Sequence, residues 1–168
     1  PGLDGAQLGQ AIVDSYIVDD QRIVDEAARA DLVGRGSVLG SLFGAASLPS
    51  ADQVAQQMSR SITLTAVDRT AMPELTASLN DLAAALQGAD QRAVAQARSY
   101  ARSFTSIFGG DVAPSYVDLA NLAELAADKS GRDEVADAAA ALRATLDRVV
   151  VAEKHGSQMR GASGVSIY

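Results

Sequence analysis

The sequence predicts a mainly α fold: a bundle of five or six helices with two short strands, at about residues 61–67 and 163–168. Three observations carry that prediction. Apolar residues make up 48% of the 168, but aromatics only 4%, and alanine supplies much of the remainder, which is a helical composition. Leu75, Leu79, Leu82 and Leu86 recur at spacings of four, three and four, the seam of a helix packed on other helices. Two stretches instead alternate with period two, ITLTAV from Ile62 and VSIY from Val165, and read as strands. The length suits one domain with a real core.

The elements follow in chain order. Residues 4–31 read as helix, opened by Asp4 with Gln7 three residues on, the spacing of a capping box. Leu8, Ala11, Ile12, Ser15 and Tyr16 share one face, which Ile23, Val24 and Ala27 extend beyond a polar break at residues 19–21. Residues 32–50 hold Gly34, Gly36, Gly40 and Gly44 among Leu, Val and Phe. Repeated glycine weakens helix and strand alike, yet the segment is too apolar for a solvated linker. It reads as a loop packed on a neighbour or as a flap. Residues 51–58 suit a short helix capped by Ser50.

The strand from Ile62 puts Leu64 and Ala66 on its own face. A helix starts at Asp68 or Thr70 with Pro73 in its first turn, where proline is tolerated, and ends at Gly88. Asp90 opens the next, with Val94, Ala97, Ala101, Phe104 and Phe108 on one stripe up to Gly109 and Gly110. Asp118 caps a helix carrying Leu119, Leu122 and Leu125, broken at Ser130 and Gly131. Ser130, with Asp133 three residues on, caps the last helix. Its inner face is Val135, Ala139, Leu142, Leu146 and Val149, and it runs on to about His155 and Gly156. Two strands alone make no stable sheet. They either pair with each other against the helices or extend a sheet built by another part of the protein, and the edge of 165–168 needs a partner.

Composition narrows function. A net charge of −7 repels phosphate backbones, so nucleic acid is not an expected partner. The absence of cysteine removes disulfides, thiolate zinc sites and cysteine nucleophiles together. No apolar run approaches the roughly 20 residues of a membrane span, and no basic-then-apolar signal peptide starts at Pro1.

Motifs for chemistry are weak. The single histidine, His155, reads as a charge at a helix C-terminus, favourable to the helix dipole, rather than as a general base. Ser, His and Asp are all present, but no G-x-S-x-G elbow is. Asp14, Asp19, Asp20, Asp25, Glu26 and Asp31 are scattered over a helix face, unlike a calcium loop. The glycines of GRGSVLG have the wrong spacing for a phosphate loop. Tyr16, Tyr100, Tyr116 and Tyr168 adjoin apolar positions and read as core or interface residues. No residue is therefore assigned to a catalytic, cofactor-binding or metal-binding site, and no cofactor is expected in this chain.

Four segments, in order, resemble the C-terminal part of the clostripain family of cysteine peptidases. LGQAIVDSY (8–16) is similar to a helix that follows the family's catalytic core. ITLTAVDRTAMPELTASLNDLAAAL (62–86) resembles its T-L-S-A-I-D-L strand and following helix. YVDLANLAELAA (116–127) resembles a Tyr-x-Asp-Leu helix start, and GASGVSIY (161–168) a segment the family normally follows with Phe-Pro. Residues 23–58, Gly-rich in part, look like an insertion. The resemblance implies a caspase-like catalytic domain with a Cys–His dyad, a sheet flanked by helices, in members that often cleave after basic residues and can be cut into two associated chains. It places this chain as one non-catalytic C-terminal helical region, 1–168, whose strands join that domain's sheet. The catalytic domain or chain of the same precursor is the expected partner, with a peptide or protein substrate bound there. The resemblance also favours a secreted or periplasmic location and leaves calcium dependence open. Residues 32–50 would approach or cover the substrate cleft, or be an ordinary packed insertion. The alternative is a stand-alone helical interaction or scaffold protein without protease activity.

Overall fold

The computed structural model describes residues 2–15, 60, 63–103 and 116–167. Among these lie five α-helices, α1 (Gly5–Ser15), α2 (Met72–Gln87), α3 (Gln91–Tyr100), α4 (Leu119–Ser130) and α5 (Asp133–Val149). Four strands accompany them, β1 (Thr63–Val67), β2 (Val117–Asp118), β3 (Val150–His155) and β4 (Ser166–Ile167).

Helix α5 is the centre of the core. It packs against α2 on one side and α4 on the other, and α3 packs on α4. Val135, Leu142, Leu146 and Val149 form the stripe that α5 buries, spaced as a helix in a bundle requires. Leu75 and Leu82 of α2 meet them, with Leu79 and Leu86 half-buried beside. Ser78 and the buried Thr145 place their hydroxyls 2.9 Å apart across the α2–α5 contact, and Thr145 also donates to the Ala141 carbonyl at 3.0 Å. With that proton so used, Ser78 is the donor and Thr145 the acceptor of the bond across the seam.

The helix starts follow their capping chemistry. The Asp4 carboxylate accepts from the Gln7 N–H at 2.8 Å and the Gln7 side chain accepts from the Asp4 N–H at 3.0 Å, the reciprocal box expected. Asp68 caps a short 3-10 turn (Arg69–Ala71) that leads into α2, whose proline lies in the first turn, and Asp90 caps α3. Gly131 ends α4 in the left-handed region, at φ 60°.

The strands form two separate two-stranded antiparallel sheets, β1 with β3 and β2 with β4. In the first, Thr63 faces His155, Leu64 Lys154, Thr65 Glu153 and Ala66 Ala152; a bulge then lets Val67 face Val150. Helix α1 packs on β1 and β3. It comes close through Gly9, where a Cβ would lie 3.0 Å from that of Ala66 and 3.9 Å from Val151 Cγ2. In the second sheet Val117 faces Ile167 and Asp118 faces Ser166, with Ser103 bridged to Val117.

Several sequence expectations change. The last helix stops at Val149, and Val150–His155 is a strand, because three consecutive valines favour extended backbone once β1 is there to pair with them. The two expected strands do not pair with each other: each has its own partner within this chain, β1 with β3 and β4 on one side with β2. Helix α3 ends at Tyr100 and the chain is bridged as extended backbone by Ser103; Phe104 and Phe108 lie outside the described residues. The cap of α5 is Arg132 without a side-chain bond, not Ser130. On α1 the packed positions are Gly9 and Val13, whereas Leu8 and Ile12 are 51% and 52% exposed. On α4 the buried stripe is Leu119, Ala120, Ala123 and Ala126, with Leu122 and Leu125 at its margin; alanine lets the helices approach closely. The expected continuation of the first helix to residue 31, the segment 32–50, the helix at 51–58 and the whole insertion 23–58 lie outside the described residues.

Candidate functional site

Alternation along β1 and β3 sorts their residues onto two faces. One face carries Leu64 and Ala66 on the side of α1. The other carries Thr63, Thr65, Glu153 and His155, as two directly opposed pairs, Thr63 with His155 and Thr65 with Glu153. This polar face gathers the chain's single histidine, a carboxylate and two hydroxyls on one small ribbon.

A loop from Gly161 to Val165 roofs it. At Gly164, which has φ +70°, an added Cβ would collide with Thr65 Oγ1 and lie 2.9 Å from Thr65 Cβ and 3.2 Å from Thr63 Cγ2. Only glycine permits both the left-handed backbone and that approach. The loop is held by Asp118, which is 0% exposed. Its Oδ2 accepts from the Ser163 N–H at 2.7 Å and the Ser163 hydroxyl at 3.0 Å, while Oδ1 accepts from the Asn121 N–H at 3.0 Å and so caps α4. The Leu119 N–H donates to the Val165 carbonyl at 2.9 Å. Asn121 Oδ1 in turn accepts from the Arg102 N–H at 2.7 Å. One buried carboxylate thus joins the start of α4 to the C-terminal loop, with each oxygen engaged.

Three side-chain atoms of this face are buried without a hydrogen-bond partner: Thr63 Oγ1, Thr65 Oγ1 and His155 Nδ1. His155 Nδ1 lies 3.3 Å from Glu153 Oε1, near enough for an ion pair but without the alignment of a hydrogen bond. Glu153 also borders an open cleft of about 350 Å³ between the end of α5, β3 and residues 161–163. The other charges lining that cleft are matched: Arg143 reaches Glu124 at 2.9 Å and Asp147 at 3.3 Å.

A hydroxyl, an imidazole and a carboxylate on one face are the ingredients of a nucleophilic triad. The geometry argues against that use. A nucleophile must meet its substrate, and both threonine oxygens and His155 Nδ1 are closed to solvent.

His155 therefore does not sit at a helix end, as its sequence neighbours suggested. It stands in β3 opposite Thr63, 92 positions earlier, and pairing across such a separation leaves no local trace. The legible signal was Glu153-x-His155 following three valines, a period-two pattern. Tyr100 and Tyr116 are exposed at 72% and 52% and belong to no core here; Lys129 Nζ lies 5.8 Å from the Tyr100 ring centroid. Tyr16 and Tyr168 lie outside the described residues, as do the Gly34–Gly44 cluster and the acidic residues from 19 to 31. Asp14 lies on the exposed side of α1, bonded to Gln10 at 2.9 Å. Among the described residues no three of His, Cys, Asp and Glu come together, and no helix is long and apolar enough to cross a membrane.

No protein-family model matches the chain, and it is significantly similar to no curated protein and to no solved structure.

Proposed function

We propose that this chain is the non-catalytic helical region of a clostripain-like cysteine endopeptidase, holding in place a caspase-like domain whose Cys–His dyad cleaves the peptide bond. The observation that carries the reading is where the four resembling segments go. Residues 8–15 in α1 lie on β1, which opens the second segment. The third and fourth segments are tied together by Asp118, Ser163 and the β2–β4 pairing. The resembling segments thus supply α1, β1, α2, β2, most of α4 and β4, arranged around α5, which lies outside them.

Two features support a supporting role over a catalytic one. The chain has no cysteine, and its one histidine has its Nδ1 enclosed. Leu8 and Ile12 give α1 a second apolar stripe, turned away from its own sheet, against which a catalytic domain would pack. Support of this kind acts on catalysis by fixing the loops that hold the reacting groups. The internal pairing of both strands favours the second reading, a self-contained interaction module without protease activity.

Affinity purification of the native protein, followed by a thiol-directed peptidyl probe with a basic residue at the cleavage position, separates the two. The expected result is probe label on a companion chain, or on a longer polypeptide containing this sequence. An unlabelled protein that purifies without a companion and runs as this sequence alone would overturn the peptidase reading and leave the interaction module.

A further inference from the structure

We infer that Tyr100, Arg102, Lys129 and Arg160 present a docking surface for an acidic, carboxylate-rich segment of a partner protein. Three cations gather there around an exposed ring. Lys129 Nζ lies 5.8 Å from the Tyr100 ring centroid. Arg102 Nη1 lies 3.7 Å from where a Cβ on Gly161 would stand, and Gly161 directly follows Arg160.

These cations lack what the chain supplies elsewhere. Arg132, Arg143 and Arg148 each hold a carboxylate, at 3.3, 2.9 and 2.7 Å. Among the described residues no carboxylate forms an ion pair with Arg102, Lys129 or Arg160. With 21 acidic residues to 14 basic, carboxylates are in excess, so three adjoining cations without one mark a local reversal of the chain's charge. Asp128 adjoins Lys129, but successive residues of a helix do not face each other. Asp118 is buried with both oxygens engaged.

The backbone beneath the two arginines is fixed. Arg160 and Gly161, at φ −55° and +74°, have the φ values of the central pair of a type II turn, closed by the Ala162 N–H on the Met159 carbonyl at 3.0 Å. Met159 and Ala162 are themselves buried. The Arg102 N–H donates to Asn121 Oδ1 and its carbonyl accepts from the Asp118 N–H, both at 2.7 Å. Anchored backbone lowers the ordering cost of binding. Tyr100 is the most exposed large apolar side chain among the described residues. Tyrosine and arginine are the types that anchor protein interfaces, and a guanidinium matches a carboxylate with two parallel bonds. A long polyanion would meet the field of the whole chain, at net −7, whereas a short acidic segment meets this face alone. The surface is built from the end of α3, the end of α4 and the turn before β4. It uses no residue of α1, and the inference stands whether or not a peptidase domain is the partner.

The test titrates the whole chain into a fluorescein-labelled peptide of alternating Asp and Glu around one Phe, read by anisotropy. At about 50 mM salt the expected Kd is on the order of 100 µM, weakening severalfold at about 300 mM. Arg102→Gln, Lys129→Gln and Arg160→Gln should each weaken binding roughly two- to fivefold, and together about tenfold or more. Tyr100→Ala should weaken it roughly fivefold or more. Arg69→Gln removes the same charge from the 3-10 turn before α2 and should leave binding within about twofold. In the unaltered protein, peptide should shift the backbone amide signals of residues 100–103, 127–130 and 159–162 and leave those of α1 in place. No binding at about 1 mM protein, or an Arg69→Gln effect as large as that of Arg102→Gln, would overturn the surface. So would tighter binding of a single-stranded oligonucleotide or of phosphatidylserine vesicles than of the peptide.

Discussion

Replacing Asp118 by alanine tests a buried side chain that ties the start of α4 to the C-terminal loop. The carboxylate is fully buried and accepts three hydrogen bonds, from the Asn121 N–H, the Ser163 N–H and the Ser163 hydroxyl. Loss of the cap on α4 costs about 1 kcal/mol. Each bond from Ser163 to the charged group is worth roughly 1.5–3 kcal/mol, and the truncation leaves the Ser163 N–H without its acceptor. The three share one acceptor group and do not add fully, so the total comes to about 3–5 kcal/mol. Against a typical domain stability of about 5–15 kcal/mol that is a large fraction. Urea unfolding should show a lower midpoint at unchanged slope. Ser163→Ala keeps the backbone bond to Asp118 but removes the hydroxyl's bond to it and the two longer contacts with Val165, and should cost about 1–2 kcal/mol. The double variant should be less destabilised than the sum, because both changes act on the same bond. The loss should also be felt locally: trypsin should cut faster after the exposed Arg160, where the chain enters the released loop. A stability change below about 1 kcal/mol for Asp118→Ala, with tryptic cutting at Arg160 unchanged, would refute the clamp.

Other outcomes follow from the same geometry. Gly164→Ala should destabilise by about 2 kcal/mol or more, since the new methyl meets Thr65 in a backbone conformation side chains avoid; adding Thr65→Ala should recover part of the loss in a thermal melt. Leu142→Ala, at the centre of α5, should cost about 2–5 kcal/mol in urea unfolding, because the helices on both sides cannot close the gap fully. Hydrogen bonds from the Thr70 side chain and backbone hold the Asp68 carboxyl below its ordinary value of 3.8. A depressed folded value means that this group's contribution is present above about pH 4 and is lost as the pH falls through the folded value. Thr70→Val should move the Asp68 carboxyl upward, followed by its carbon chemical shift through an acid titration.

The local signals in the sequence were reliable where a single residue and its near neighbours settle the outcome. Asp4 with Gln7, Asp68, Asp90 and Asp118 each cap the turn they precede, because a cap is made within three residues. The leucine seam of α2 and the inner stripe of α5 were legible for the same reason: one helix face records its burial in its own spacing. The strand of β1 was visible in its alternation. The candidate site was not, because its four residues come from two segments more than 80 positions apart, and nothing near His155 names Thr63 as its neighbour.

The sequence by itself determined that the body is helical, where most of its helices begin, and that a cysteine nucleophile is absent. Tertiary structure alone decided that the run after Val149 becomes a strand, that the terminal segment is paired by β2, and that Asp118 is a clamp as well as a cap. The physical reason is the range of the interactions. Caps and helix stripes are written within a few residues, whereas a strand is stabilised by backbone groups it cannot supply itself, so its fate depends on which distant segment the packed helices bring alongside.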